Sequence, residues 1–396
     1  MPSPPADGAG SRRAIAAWCL YDWANSAFPT VIITFVFAPY FTQAVAETEI
    51  QGSAQWAWAV SISALVVALL GPTGGAVADA AGRRKPWIFA LTVLCVVCAY
   101  LLWYVRPTTD DVMLALVMFV VANVAFEFAG VFYNAMLPEI TPARLIGRVS
   151  GWAWGLGYAG GLVCLVIVLV AFVQTDSPLF GLDQSETELE HVRAVGPMSA
   201  LWYAFFSLPL FLFTPDRRST GISPVQAVHD GLATLVQSLR DIRRHANVAR
   251  YLLARMIYTD GLNTLFAFGG IFAAHAFGMD IEERLIFGIV MNVTAGLGAA
   301  AFAWIDDWIG AKRTILIALV GLIVVGTALI LVHAKLWFWM LAPVLGVFFG
   351  PAHALRRVHH SLRQRPRRHG HGARVFPRRL LSPAVGARAA HPGRPA

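Results

Sequence analysis

Along this chain the apolar residues do not alternate with polar ones at the two-residue step of a strand. They gather in long runs parted by short polar connections. The runs fall at 14–41, 56–78, 87–105, 112–136, 150–173, 198–214, 250–276, 285–305, 314–333 and 336–352. A helix needs about 20 apolar residues to cross a bilayer, and hydrocarbon offers no partner to a backbone N–H or C=O. The pattern therefore predicts an all-α integral membrane protein with about ten transmembrane helices. One connection has a different rhythm. Between 215 and 249, Val225, Val228, Leu232, Leu235, Leu239 and Ile242 recur at three- and four-residue steps, with basic residues beside them. That spacing predicts an amphipathic helix, lying either on the membrane surface or against the bundle.

Composition agrees: 57% of residues are hydrophobic and 14% charged, where soluble domains carry about a quarter charged. The charges sort the connections into two sets. Arg12 and Arg13, then Arg83, Arg84 and Lys85, then Arg144 and Arg148, Arg217 and Arg218, and Lys312 and Arg313 fall on alternate loops. The intervening loops hold few basic residues and many acids, among them Asp110, Asp111, Asp183 and Glu188. The excess of Lys and Arg on cytoplasmic loops predicts that the N-terminus and the 215–249 loop are inside. Residues 1–13 read as a cytoplasmic lead rather than a signal peptide, because the run that follows is too long and too broken. The protein is expected in the inner or plasma membrane.

The formal charge of +8 misleads. Residues 353–396 hold eleven Arg and six His with no acid, and the remainder is slightly acidic. Such a tail would suit nucleic acid or anionic lipid. Its Arg/Pro/His-rich, aperiodic composition fits better a reading-frame slip in a GC-rich gene, so no nucleic-acid partner is expected. His369 and His371 have no cysteine or acid near them, which argues against a metal site. Cys19, Cys95, Cys98 and Cys164 all lie in apolar runs, which argues against a disulfide framework. No cofactor is expected. No nucleophile–base pair or phosphate loop is visible, so the chain does not read as an enzyme or an ATP-driven pump.

Two internal repeats follow. Gly75-Ala-Val-Ala-Asp79-Ala-Ala-Gly82-Arg83-Arg84-Lys85 joins the second and third runs, and Ala303-Trp-Ile-Asp-Asp307-Trp-Ile-Gly310-Ala-Lys312-Arg313 joins the eighth and ninth. Both read small-x-x-x-Asp-x-x-Gly and then basic: Gly82 and Gly310 would allow a tight reversal after a helix. Asp22-Trp-Ala-Asn25-Ser26-Ala-Phe28 opens the first run, and Asp260-Gly-Leu-Asn263-Thr264-Leu-Phe266 opens the seventh. Two equivalent halves about a pseudo-twofold axis are one way transporters build a central site.

Residues 75–85 resemble the loop motif between helices two and three of the major facilitator superfamily, departing at Ala80, where that motif has Arg or Lys. Tyr21-Asp22-Trp23-Ala24-Asn25-Ser26-Ala27-Phe28, and Tyr133-Asn134-Ala135-Met136-Leu137-Pro138-Glu139 after the fourth run, resemble the vacuole-effluxer-like branch, related to the fungal autophagy amino-acid effluxer. The resemblance covers about 14–352. It implies a two-bundle fold of twelve helices working by alternating access, of which the last two are missing here. The implied organisation is a six-helix bundle at 14–214, a cytoplasmic loop at 215–249, an incomplete four-helix bundle at 250–352 and a tail at 353–396. The implied partners are a small solute, with amino-acid efflux one option, and the bilayer. The chain is expected to act as a monomer. A transport-defective family member and a membrane sensor stay open as alternatives.

Polar groups inside spans are costly and mark candidates for function. Glu127, flanked by apolar residues near the middle of the fourth run, is the better candidate for proton coupling, because burial there would raise its pKa. A permanently neutral or paired acid holding this span to a neighbour is the equal alternative. Asp22 with Asn25, and Asp260 with Asn263, share helix faces and lie toward the cytoplasmic side. They suit either solute contact or a gate closed by Arg144, Arg148 or Arg255. Asn123, one turn from Glu127, and Asn292 complete the transport candidates. Gly75, Asp79, Gly82, Arg83, Arg84 and Lys85, with Asp307, Gly310, Lys312 and Arg313, form the candidate cytoplasmic gate motif. Gly151, Gly155, Gly157, Gly160 and Gly161 predict close helix contact in the fifth run. The tryptophans near run ends, Trp18 and Trp56 among them, are expected at the membrane interface.

Overall fold

The computed structural model describes residues 11–142, 145–175, 177–185, 187–217 and 281–363, with scattered positions between 226 and 279. At 72, 75–81, 350–363 and a few other helical positions only the backbone is described. The described residues are helices joined by short loops and turns, with no strand among them. Nine long helices run in chain order: α1 (Arg12–Asn25), α2 (Glu49–Ala81), α3 (Lys85–Leu101), α4 (Val112–Ile140), α5 (Ile146–Val168), α6 (Val195–Phe213), α7 (Ile281–Ile309), α8 (Ala311–Leu331) and α9 (Lys335–Arg363). Among the described residues, seven helical stretches are long and apolar enough to cross a membrane, and the shorter apolar stretches Ile286–Phe302 and Lys335–Phe349 occupy the eighth and tenth runs. The seventh run lies largely outside the described residues.

Local chemistry sets the ends. Thr48 caps α2 by accepting from the Gln51 N–H at 3.3 Å. Gly82 ends α2 at φ +75° and Gly310 follows α7 at φ +82°. The same place in both repeats thus takes the backbone conformation that side chains resist. α9 runs on to Arg363, beyond the 353 boundary at which helical order was expected to stop. A helix already nucleated adds one hydrogen bond per residue at little cost, and Ala352, Ala354, Leu355 and Arg356 favour it.

The first span is not one straight helix. After α1 it continues as a π-helical stretch, Phe28–Phe35, breaks at Val36, and proceeds through Phe37–Tyr40 and a second π-helical stretch, Phe41–Val45. Pro29 and Pro39 cannot donate the bonds an unbroken α-helix would make to Asn25 and Phe35. Val36 instead donates to the Val31 carbonyl, five residues back, at 3.0 Å.

The spans 12–213 share one core, and α1 is its hub. The Trp18 ring stacks on Tyr133 of α4 with centroids 4.4 Å apart. Trp18 Nε1 donates to the Tyr133 carbonyl at 3.1 Å, and the Tyr133 hydroxyl donates to the Trp18 carbonyl at 2.9 Å. The Tyr21 hydroxyl lies 2.7 Å from Thr92 Oγ1 on α3 and 2.8 Å from the Tyr203 hydroxyl on α6. Trp18 and Trp56 are buried in this core rather than turned outward: each finds ring partners across helices, and Trp56 packs on Phe119 at 4.2 Å. A second core joins α7, α8 and α9 around Phe287, Leu322, Phe338 and Leu345. The two meet where α5 packs along α7.

Candidate transport site

On α1, Asp22 and Asn25 are buried, Asp22 only 3% exposed. The reason is glycine on α5. A β-carbon on Gly157 would stand 2.8 Å from Ser26 Oγ, and one on Gly160 would stand 2.5 Å from the Trp23 carbonyl oxygen. The two backbones therefore lie against each other from Asp22 to Thr30, as the crowd of glycines predicted. Gly155 faces the other way, toward Gly296 and Ala300 of α7.

On α4, Ala115, Phe119, Ala122, Ala125, Ala129 and Phe132 turn into the core. Asn123, Glu127 and Asn134 fall on the opposite face, one to three turns apart. Asn123 Nδ2 donates to Ser63 Oγ of α2 at 2.7 Å, and that hydroxyl donates to the Val60 carbonyl at 2.8 Å. Glu127 is exposed. This corrects the expectation of a buried carboxyl. Apolar neighbours in sequence do not bury a residue when the helix turns them to other sides.

Asn292 is buried on α7, and its Nδ2 donates to the Gly288 carbonyl one turn back at 2.8 Å. Its own helix meets the need for a partner that lipid would not. Asp260 and Asn263 lie outside the described residues, as do the side chains of Asp79, Asp307 and Lys312.

The basic loop builds a compact charge cluster. Arg84 is 1% exposed. Its Nη1 pairs with Glu139 Oε1 at 2.5 Å and also donates to the Ala135 carbonyl. Arg217 Nε meets the same Glu139 oxygen at 2.6 Å. The carboxylate of Asp216 accepts from the backbone N–H of Arg84 at 2.9 Å and of Lys85 at 3.2 Å. Lys85 Nζ donates to the Thr214 carbonyl at 2.5 Å. One end of α3, α4 and α6 is thus tied together, and Arg83 and Arg313 remain exposed. The sequence pointed to Arg84 and Lys85 but not to Glu139, Asp216 or Arg217 as partners. The signal available was a Pro-acid pair closing both spans, Pro138-Glu139 and Pro215-Asp216.

At the opposite end, the loop after α5 is fastened by Arg193, which is 4% exposed. Its Nε donates to the Trp103 carbonyl at 2.8 Å and its Nη1 to Glu188 Oε2 at 3.1 Å. In the same loop the N–H of Ser185 holds the exposed Asp183 carboxyl below its ordinary pKa.

The comparisons decide the family. The model for vacuole effluxer Atg22-like proteins matches residues 141–362, more than half of the chain. The chain belongs to that family. The major facilitator superfamily model matches residues 8–165, so this Atg22-like protein is a multi-pass membrane transporter of that superfamily and not an enzyme. It is 27% identical over 360 residues to an uncharacterized MFS-type transporter, YxiO, of Bacillus subtilis, covering 89% of this chain and 81% of that one. It is 22% identical over 188 residues to autophagy-related protein 22-1 of Penicillium rubens, covering 45% of this chain but only 30% of the fungal one. In fold it resembles the transporter FucP in its outward conformation, with TM-score 0.63 at 13% identity, covering 87% of this chain and 84% of that one. It also resembles the proton:xylose symporter XylE, with TM-score 0.60 at 14% identity, covering 87% and 80%.

Proposed function

We propose that this Atg22-like protein moves a small solute by alternating access, with the Asn123–Glu127 face of α4 lining the path and Glu127 exchanging a proton. The observation that carries the reading is that face: an amide fixed by Ser63 beside an exposed carboxylate, on a helix whose other side is locked into an aromatic core. A carboxylate at bilayer depth is costly facing lipid and useful facing a water-filled path. Amino acids are the first solutes to test, because the resemblance to the fungal autophagy amino-acid effluxer branch implies them.

Asp22 and Asn25, packed on α5, are proposed to hold α1 in place beside the path, and Asp260 and Asn263 to do the same in the second half. The end bearing Arg84 and Glu139 is proposed to be cytoplasmic, because the basic loops lie there. The Gly75–Lys85 and Asp307–Arg313 loops are then the gate motif of that side, and the working unit is a monomer.

The test is flux into proteoliposomes across a solute panel, with and without a pH gradient. Glu127→Gln should abolish pH-driven accumulation while leaving solute exchange intact. Accumulation at the wild-type level would rule Glu127 out as the coupling group.

A further inference from the structure

Among the described residues, the two halves touch most extensively along an antiparallel seam of α5 and α7, and α9 also packs on α5 and α4. At the end bearing Arg84, Trp152 of α5 meets Trp304 of α7, ring centroids 6.5 Å apart. Further along, a β-carbon on Gly155 would stand 3.3 Å from the Gly296 carbonyl oxygen, and one on Gly296 would stand 3.1 Å from Tyr158 Cβ. Tyr158 packs against the second core. Toward the other end the partner changes. The first span crosses α5 at Thr30 and Gly161, and the Phe35 ring reaches α7: its Cε1 and Cζ stand 2.6 and 2.8 Å from the point a β-carbon on Gly288 would occupy.

Three features make this contact unlike the rest of the seam. First, Phe35 is the last residue of the π-helical stretch, immediately before the break at Val36. Its backbone is bracketed by Pro29 and Pro39, so the ring hangs from a segment with hinges on both sides. Second, the seat exists only because residue 288 has no side chain; a larger residue would push the ring off. Third, the contact lies at the mouth away from the charge cluster. The start of α1 meets the end of α6 through Thr214 Oγ1 and the Ala14 carbonyl at 3.5 Å, and Phe35 is 21 residues further along the span.

We propose that Phe35 seated on Gly288 is the gate of that mouth, closed as the structure shows it and opened by withdrawal of the ring through the Pro29 and Pro39 hinges. The proposal rests on the alternating-access reading and adds to it the residues that seal one side. Rocking of the halves about the Gly155–Gly296 crossing requires the contact on one side of that crossing to part. A hinged ring breaks it at one end and leaves the Gly155–Gly296 crossing as the pivot.

Spin-label distances in the reconstituted full chain test this without a known solute. Gln43→Cys and Ile286→Cys place labels across the Phe35 mouth, and Pro86→Cys and Leu316→Cys place them across the opposite one; all four positions are exposed. The native Cys19, Cys95, Cys98 and Cys164 are buried. Phe35→Ala and Gly288→Leu should each shift the first distribution to longer distances, lowering the ratio of closed to open molecules about tenfold, the factor that about 1.4 kcal/mol gives. The second distribution should shorten. The double variant should open no further than either single one, because both remove the same contact. If both distributions exchange in the parent protein but the variants leave them unchanged, or if their effects add, the gate assignment is wrong. If neither distribution shows two populations under any condition, the alternating-access reading itself fails. Should Gly288→Leu not fold, Phe35→Ala alone decides.

Discussion

At the scale of single residues, two acids, Glu139 and Glu127, occupy opposite surroundings. Glu139 lies between Arg84 and Arg217, two cations on one carboxylate oxygen. Those cations are not equivalent. The Arg84 side chain is 1% exposed and the Arg217 side chain 42%. Removing a buried partner strands a charge, whereas an exposed ion pair contributes little. Arg84→Ala should therefore lower stability by about 3 kcal/mol and Arg217→Ala by less than about 1 kcal/mol. Both are read as unfolding in detergent, and equal losses would show that the cluster is solvated throughout. Glu127 is the opposite case. It lies on the polar face of α4, so Glu127→Gln should leave the unfolding midpoint nearly unchanged while removing proton-driven accumulation. A large loss of stability would mark it as structural.

At the scale of elements, packing of α1 on α5 decides how the first span is held. Gly160→Ala would drive a methyl group into the Trp23 carbonyl and should cost about 2 kcal/mol. Gly130→Ala on α4 has nothing within 4 Å of the new carbon, and helix propensity alone should make it neutral or stabilising by up to about 1 kcal/mol. Melting curves of the two variants separate close approach from propensity. Much at this scale was legible from sequence. Run length marked the spans, and the repeated Asp-x-x-Gly placed two reversals where Gly82 and Gly310 take positive φ. The glycines of the fifth run announced a crowded crossing. The breaks in the first span were not foreseen. Pro29 and Pro39 were plain to see, but a run of apolar residues reads alike whether its bonds go four or five residues back. The charge cluster was hidden for another reason: Arg84, Glu139 and Arg217 are far apart in the chain, and no periodicity links them. Glu127 was misplaced because neighbours in sequence describe a helix all round, while burial belongs to one face.

At the scale of the whole molecule, the hydroxyl and indole bonds of Trp18, Tyr21, Tyr133 and Tyr203 join α1, α3, α4 and α6. Those helices are thereby tied into a unit that can move as one. The second half has its own core, and the halves touch along α5 and α7, with small residues at the crossing, and where α9 packs on α5 and α4. Two bodies whose close crossing is built of small residues can rock about it. A polar face on α4 between two tied ends gives the rocking something to expose to each side in turn. The most direct test is counterflow in proteoliposomes preloaded with an amino-acid mixture, following one labelled solute at a time. Alternating access predicts saturable uptake that solute on the far side accelerates, for at least one member of the panel. Uptake that rises linearly with concentration, or binding with no flux, would contradict the account.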